Sequence, residues 1–101
     1  MKDLVEGYDL LDKGLQGYVI QNILMVYKSL EVVAKSEDGT KTVKLQFRDV
    51  SDIYLNGEGV SNIISDIKLE KSEDGKLEAQ VEKTEGIGID LVAEKLVVTN
   101  M

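Results

Sequence analysis

Residues 67–81 read IKLEKSEDGKLEAQV, and the pentapeptide KSEDG within them decides how the rest of the chain is interpreted. Asp-Gly between alternating apolar residues is the strongest short-range signal for a β-hairpin. A three-residue Glu-Asp-Gly loop places Ile67 opposite Val81 and Leu69 opposite Ala79, so that the apolar side chains share one face. The stretch therefore predicts an antiparallel hairpin with one apolar face and one charged face.

The same pentapeptide occurs earlier, at residues 35–39. The register of the later copy would place Glu31 opposite Leu45 here, whereas an even-numbered loop places Val32 opposite Leu45. A one-residue slip moves every side chain to the other face, so the apolar pattern favours the even loop. The two identical pentapeptides are predicted to make different turns at two solvated hairpin tips. The residues predicted to point into the core are Leu30, Val32, Val43, Leu45, Phe47, Ile67, Leu69 and Val81.

Short strand-like runs follow one another along most of the chain, with turn signals every ~8–12 residues. The run YVIQNILMVY, at residues 18–27, is apolar almost throughout, and its β-branched residues favour a fully buried strand over a buried helix. Leu4 to Leu15 include apolar residues at helical spacing, and Asp3 with Glu6 resembles a capping box, which predicts a short N-terminal helix. The fold class predicted is mainly β, an antiparallel sandwich or half-open barrel of roughly seven or eight short strands.

Composition excludes much catalytic chemistry. The 101 residues suit one domain, residues 1–101, and include no Cys, His, Trp or Pro. There is therefore no disulfide, thiolate nucleophile, imidazole catalyst or Cys/His metal site. We expect no enzymatic activity, no cofactor and no metal. No apolar run approaches the ~18 residues that span a bilayer, and the acidic N-terminus is unlike a signal peptide, so a cytoplasmic location is expected.

The formal net charge is −7, from 19 acidic and 12 basic residues. Such a surface repels nucleic acid phosphate and anionic membranes, so direct binding to either is not expected. The charge is uneven, because residues 51–101 hold eleven acidic against five basic residues and residues 1–50 hold eight against seven. A basic protein partner should therefore prefer the C-terminal half.

The charged face of the later hairpin breaks a rule of strand pairing. The predicted register places Glu70 opposite Glu78 and Asp66 opposite Glu82, and like charges directly opposite each other are destabilising. Lys68 lies between the two pairs and offers partial relief. The face is either simply solvated or an acidic surface kept for a basic partner. These four carboxylates are the candidate partner-binding residues.

The run LQFRDVSDIYLNGEGVSNIISDIKLE, at residues 45–70, resembles the central part of small β-rich immunity proteins of bacterial toxin–immunity systems. In those proteins an alternating strand ending in Phe is followed by an Asp-Val turn, a second strand and Ile-containing strands. As a pattern of strands the resemblance extends over about residues 18–98. It includes no diagnostic residue motif, so it assigns no functional residue. It implies a cytoplasmic, non-enzymatic, often acidic protein that neutralises a basic toxin by occluding it.

Two other classes of function stay open. One is a structural or assembly protein, such as a phage or secretion-system component, in which edge strands pair between copies. The other is a carrier that holds a small apolar ligand inside a β-barrel. The oligomeric state is left open by the sequence.

Overall fold

The computed structural model describes residues 3–12, 14–55, 62–84 and 86–101, with every side chain in those ranges except those of residues 86 and 87. The strands are β1 (Val5–Glu6), β2 (Val19–Val26), β3 (Ser29–Lys35), β4 (Thr42–Arg48), β5 (Asp52–Leu55), β6 (Ile64–Lys71), β7 (Leu77–Lys83), β8 (Gly86–Ala93) and β9 (Lys95–Asn100), and the helix is α1 (Tyr8–Asp12).

The strands form two sheets, one ordered β1-β9-β4-β3-β2 and the other β5-β8-β7-β6. All neighbours are antiparallel except β1 and β9. The chain changes sheet between β4 and β5, where the Ser51 N–H donates to the Val92 carbonyl over 2.9 Å. The sheets meet again where β2 and β6 begin, through the Ile64 N–H and the Tyr18 carbonyl (2.8 Å). The predicted antiparallel fold is confirmed as a sandwich of two sheets, which do not form a closed barrel.

The later hairpin, β6–β7, has the predicted register. Ile67 lies opposite Val81, and the neighbouring apolar pairs follow in phase. The Ser72 N–H donates to the Lys76 carbonyl over 2.8 Å, which closes a three-residue loop. Gly75 in that loop has φ +83°, a left-handed conformation that suits glycine.

The earlier hairpin, β3–β4, makes a different turn, as predicted. Val32 lies opposite Leu45, and the Ser36 N–H donates to the Lys41 carbonyl over 2.8 Å. Four residues therefore form this loop, and Gly39 at its tip has φ +75°. The extra residue turns the apolar side chains of both strands towards the same core.

The core fills the space between the two sheets. Phe47, Leu30 and Leu45 are completely buried, and no polar or charged side chain is buried in the described part of the chain. Six of the eight residues predicted to point inward are buried, while Ile67 and Leu69 are half-buried and pack against the core. The two exceptions lie on β6, an edge strand that the facing sheet covers less completely.

The N-terminal prediction was partly wrong. A helix is present, but it is confined to the five residues Tyr8–Asp12, and Glu6 belongs to β1 rather than to a capping box. Because β1 pairs in parallel with β9, the backbone there makes sheet hydrogen bonds instead of helical ones. Gly7, with φ +81°, then turns the chain into α1.

The burial predicted for residues 18–27 was also wrong. The segment is a strand, β2, but only Ile20 within it is buried, and residues 21–26 are exposed. The reason is that β2 lies at the edge of its sheet, paired with β3 on one side, and the four-stranded sheet does not extend over it.

Candidate functional site

The outer face of the four-stranded sheet carries the predicted carboxylates. Glu70 lies directly opposite Glu78, and Asp66 lies opposite Glu82, as the sequence predicts. Strand alternation turns these side chains away from the core, because Ile67 and Val81 between them face inward. The structure therefore brings all four predicted partner-binding residues together on one hairpin face.

The same face continues across β8 and β5. Gln80 pairs with Lys68 on one side and with Asp90 on the other, and Asp90 lies opposite Tyr54 of β5. A row of outward side chains therefore crosses all four strands. The carboxylates on this outer face, which we call the acidic face, are Asp52, Asp66, Glu70, Glu78, Glu82 and Asp90.

Sequence reasoning missed the part of the acidic face that lies beyond the hairpin. Asp90 could have been found, because buried Ile89 and Leu91 on either side place it on the opposite side of β8. Asp52 and Tyr54 had no such local signal. They join the face through the pairing of β5 with β8, whose residues are far apart in the sequence.

Cations compensate the acidic face unevenly. The Lys68 Nζ lies 3.2 Å from the Glu82 Oε1, so the predicted relief is present for that carboxylate. Lys71 instead binds Asp3 (3.2 Å), and this hydrogen bond lowers the pKa of Asp3. In the described ranges neither Glu70 nor Glu78 has a lysine or arginine nitrogen within 4.0 Å. Their mutual repulsion is therefore not offset by a direct ion pair.

The two outer faces of the sandwich differ in charge. The acidic face combines six carboxylates with one amine, that of Lys68. The outer face of the five-stranded sheet is mainly basic, with the acidic residues Glu6 and Glu31 and the basic residues Lys35, Lys44, Arg48 and Lys95. The net charge is therefore concentrated on one side of the molecule.

The acidic face also contains a depression and apolar side chains. A surface depression of about 590 Å³ is lined by Lys68, Leu69, Glu70, Glu78, Gln80, Asp90 and Val92. The side chain of Tyr54 is 65% exposed at the border of the same face. The carboxylates attract ammonium and guanidinium groups, and Leu69 and Val92 beside them offer apolar contacts to the aliphatic stems of lysine and arginine.

Other chemistry has less support in the structure. Among the described residues no three carboxylates lie close enough together to form a metal site. A cleft of about 880 Å³ lies beside the earlier hairpin tip, between Leu15, Tyr18 and Asp38. That cleft opens on the surface, whereas the carrier alternative predicts a ligand between the sheets, where the core side chains lie.

No protein-family model, curated protein or solved structure matches this chain. Within the described residues no helix has the length and apolar character needed to cross a membrane. The resemblance to immunity proteins stays a prediction, and the functional argument depends on the geometry of the acidic face.

Proposed function

We propose that this protein is a non-enzymatic binding protein that docks a basic protein partner on its acidic face. The observation that carries the proposal is the Glu70–Glu78 pair, two carboxylates placed directly opposite each other with no direct counter-ion in the described part of the chain. Such a pair destabilises the free protein and is relieved when an external cation lies between the two carboxylates. The arrangement therefore lowers the stability of the free chain and favours a complex with a cationic partner.

The rest of the face supplies what such an interface needs. Six carboxylates on one side of the molecule accelerate association with a basic surface and make it sensitive to salt. Tyr54 and Val92 supply aromatic and apolar contacts beside the carboxylates, and tyrosine is enriched among residues that dominate binding energy. Electrostatic attraction would set the rate of association, and the contacts of Tyr54 and Val92 would set much of the lifetime of the complex.

The resemblance to immunity proteins favours a toxin domain as the partner. A nuclease domain fits this chemistry, because it needs a basic surface to hold nucleic acid phosphates. Covering that surface with the acidic face would neutralise it without any catalytic step.

The test is affinity capture from a lysate of the source organism. Three immobilised baits are compared: the wild-type protein, the double variant Glu70→Gln/Glu78→Gln and the control Glu37→Gln/Glu94→Gln. Both double variants change the net charge equally, but Glu37 and Glu94 are exposed carboxylates at a hairpin tip and a strand junction outside the acidic face. We expect the wild-type and control baits to capture a basic protein. The Glu70→Gln/Glu78→Gln bait should capture at least ~tenfold less of it, because close interfacial charge pairs contribute about 1.5 kcal/mol or more.

Salt provides the second criterion. The captured protein should be released as salt shortens the Debye length from about 10 Å at 0.1 M to about 3 Å at 1 M. Equal capture by all three baits, or loss from both double variants alike, would contradict docking on the acidic face.

A further inference from the structure

Three of the four sheet edges are protected in ways that native proteins commonly use, and one is not. β1 has two residues and β5 has four, so both are short. β6 has eight residues, but four of them are charged. β2 also has eight residues and carries neither a charge nor a proline. Short edges and charged edges resist pairing with another chain, and β2 has neither protection.

The exposed part of β2, which we call the uncharged edge, is residues 21–26. Its large side chains are about half exposed: Ile23 41%, Leu24 48%, Met25 45% and Val26 56%. They lie on both faces of the sheet, because Ile23 pairs with buried Val32 and Leu24 pairs with outward-facing Glu31. A single strand therefore presents apolar surface above and below its own backbone.

The backbone of the uncharged edge can also pair with another strand, on its side away from β3. Val26 and Ser29 close a two-residue turn, so they form a hydrogen-bonded pair, and alternation along β2 turns the N–H and C=O groups of Ile23 and Met25 away from β3. On that outer side the described chain contacts β2 only near its start, where the Ile20 N–H donates to the Asn62 carbonyl (2.8 Å).

We propose that the uncharged edge pairs antiparallel with the same edge of a second copy, across a two-fold axis at Leu24. This register places Leu24 opposite Leu24 of the second copy and Ile23 opposite Met25 of the second copy. The outward N–H and C=O groups of Ile23 and Met25 then form about four hydrogen bonds between the copies. The two five-stranded sheets become one continuous sheet, and the closed symmetry stops further addition at that edge.

Charge identifies the occupant as a second copy. Residues 18–27 contain no charged side chain in a chain whose net charge is −7. A basic partner gains no electrostatic attraction at this strand and is drawn to the acidic face on the other sheet. Two copies meeting at β2 bring together neutral, apolar segments that match each other residue by residue. The acidic faces remain exposed on the outside, so this inference is independent of the function proposed above.

Sedimentation equilibrium over a dilution series from about 1 mM to about 1 μM tests the pairing. We expect the wild-type protein to approach twice its chain mass of 11.2 kDa at the higher concentrations. Leu24→Lys places two like charges opposite each other on the axis and should hold the mass at that of one chain. Leu55→Lys is the matched control, since Leu55 is also a half-exposed leucine (50%) on an edge strand, and this variant should associate like the wild type.

A cross-link tests the register and does not depend on the folding of Leu24→Lys. Opposed residues at a non-hydrogen-bonded antiparallel position lie about 4.5 Å apart between Cα atoms, within the range a disulfide can bridge. The chain has no cysteine, so Leu24→Cys introduces the only thiol and should form a covalent dimer on mild oxidation. Lys68→Cys, on the charged edge strand, should form no covalent dimer under the same oxidation.

A wild-type protein with the mass of one chain throughout the dilution series would overturn the proposal. So would larger open-ended oligomers, a dimer that Leu55→Lys disrupts and Leu24→Lys does not, or a dimer that Leu24→Cys fails to cross-link.

Discussion

At the scale of single residues, one pentapeptide gives two aspartates different surroundings. In the four-residue loop Asp38 accepts hydrogen bonds from the Ser36 hydroxyl (2.6 Å) and from the backbone and hydroxyl of Thr40 (3.1 and 2.8 Å). In the three-residue loop Asp74 accepts one from the Ser72 hydroxyl. Donors stabilise the ionised carboxylate, so the pKa of Asp38 is lowered to about 2, mainly by the Ser36 hydroxyl, and the pKa of Asp74 is also lowered.

Ser36→Ala should therefore raise the pKa of Asp38 towards its usual value of 3.8. The folded pKa lies below the unfolded one, so this aspartate contributes stability above about pH 4 that is lost as the pH falls towards about 2. The variant should weaken that acid dependence. Carboxyl-carbon NMR titration measures the pKa directly. Ser72→Ala is the control, which should raise the pKa of Asp74 and leave that of Asp38 unchanged, and an unchanged Asp38 in Ser36→Ala would contradict the assignment.

At the scale of elements, the two hairpins were predictable in full, including their different loops. Their partners are close in sequence, and alternation fixes the face of every side chain, so Val32 opposite Leu45 was the only pairing that kept both strands apolar on one side. Four of the six carboxylates of the acidic face followed from the register of the later hairpin. Local pattern was sufficient wherever the paired strands were joined by a short turn.

What could not be predicted depends on contacts distant in sequence. The sequence shows that β2 is apolar, but it does not show whether another sheet covers the strand. The exposure of β2 was therefore missed. The N-terminal residues have a helical pattern, yet parallel pairing with β9 satisfies the backbone around Glu6 better. The addition of β5 to β8, which completes the acidic face, likewise leaves no local signal.

The close approach of the N-terminal segment to β9 makes a prediction about two glycines. Gly7 and Gly75 both have left-handed φ, but a Cβ on Gly75 meets nothing within 4 Å, whereas one on Gly7 would lie 2.1 Å from the Val98 carbonyl oxygen. Gly75→Ala should lower the free energy of unfolding by about 1–2 kcal/mol, the cost of a left-handed L-residue. Gly7→Ala should lower it further, because the segment must move off β9. Urea unfolding measures both, and faster hydrogen exchange around Leu96 in Gly7→Ala alone would locate the change. Equal losses would contradict this packing.

At the scale of the whole molecule, the uneven distribution of charge along the sequence produces two sheet faces of different charge. Four consecutive strands, β5 to β8, form one complete sheet, so the acidic excess of residues 51–101 is concentrated largely on that sheet. β3, β4 and β9 place Lys35, Lys44, Lys95 and the arginine, Arg48, on the outer face of the other sheet. Repulsion within the acidic face therefore adds to the effect of net charge, and the two effects can be separated.

Glu78→Gln and Glu37→Gln both change the net charge from −7 to −6, but only the first removes the repulsion with Glu70. At about 10 mM salt, Glu78→Gln should raise the free energy of unfolding by roughly 0.2–1 kcal/mol. Glu37→Gln, on an exposed turn, should change it less. At about 1 M salt the Debye length falls to about 3 Å, so the difference between the variants should shrink. Urea unfolding is the measurement, since urea adds no charge.

Equal gains in stability for the two variants would assign the effect to net charge alone. A loss in Glu78→Gln would mean that Lys68 already makes the carboxylate pair favourable, and the acidic face would then lose its argument for a partner.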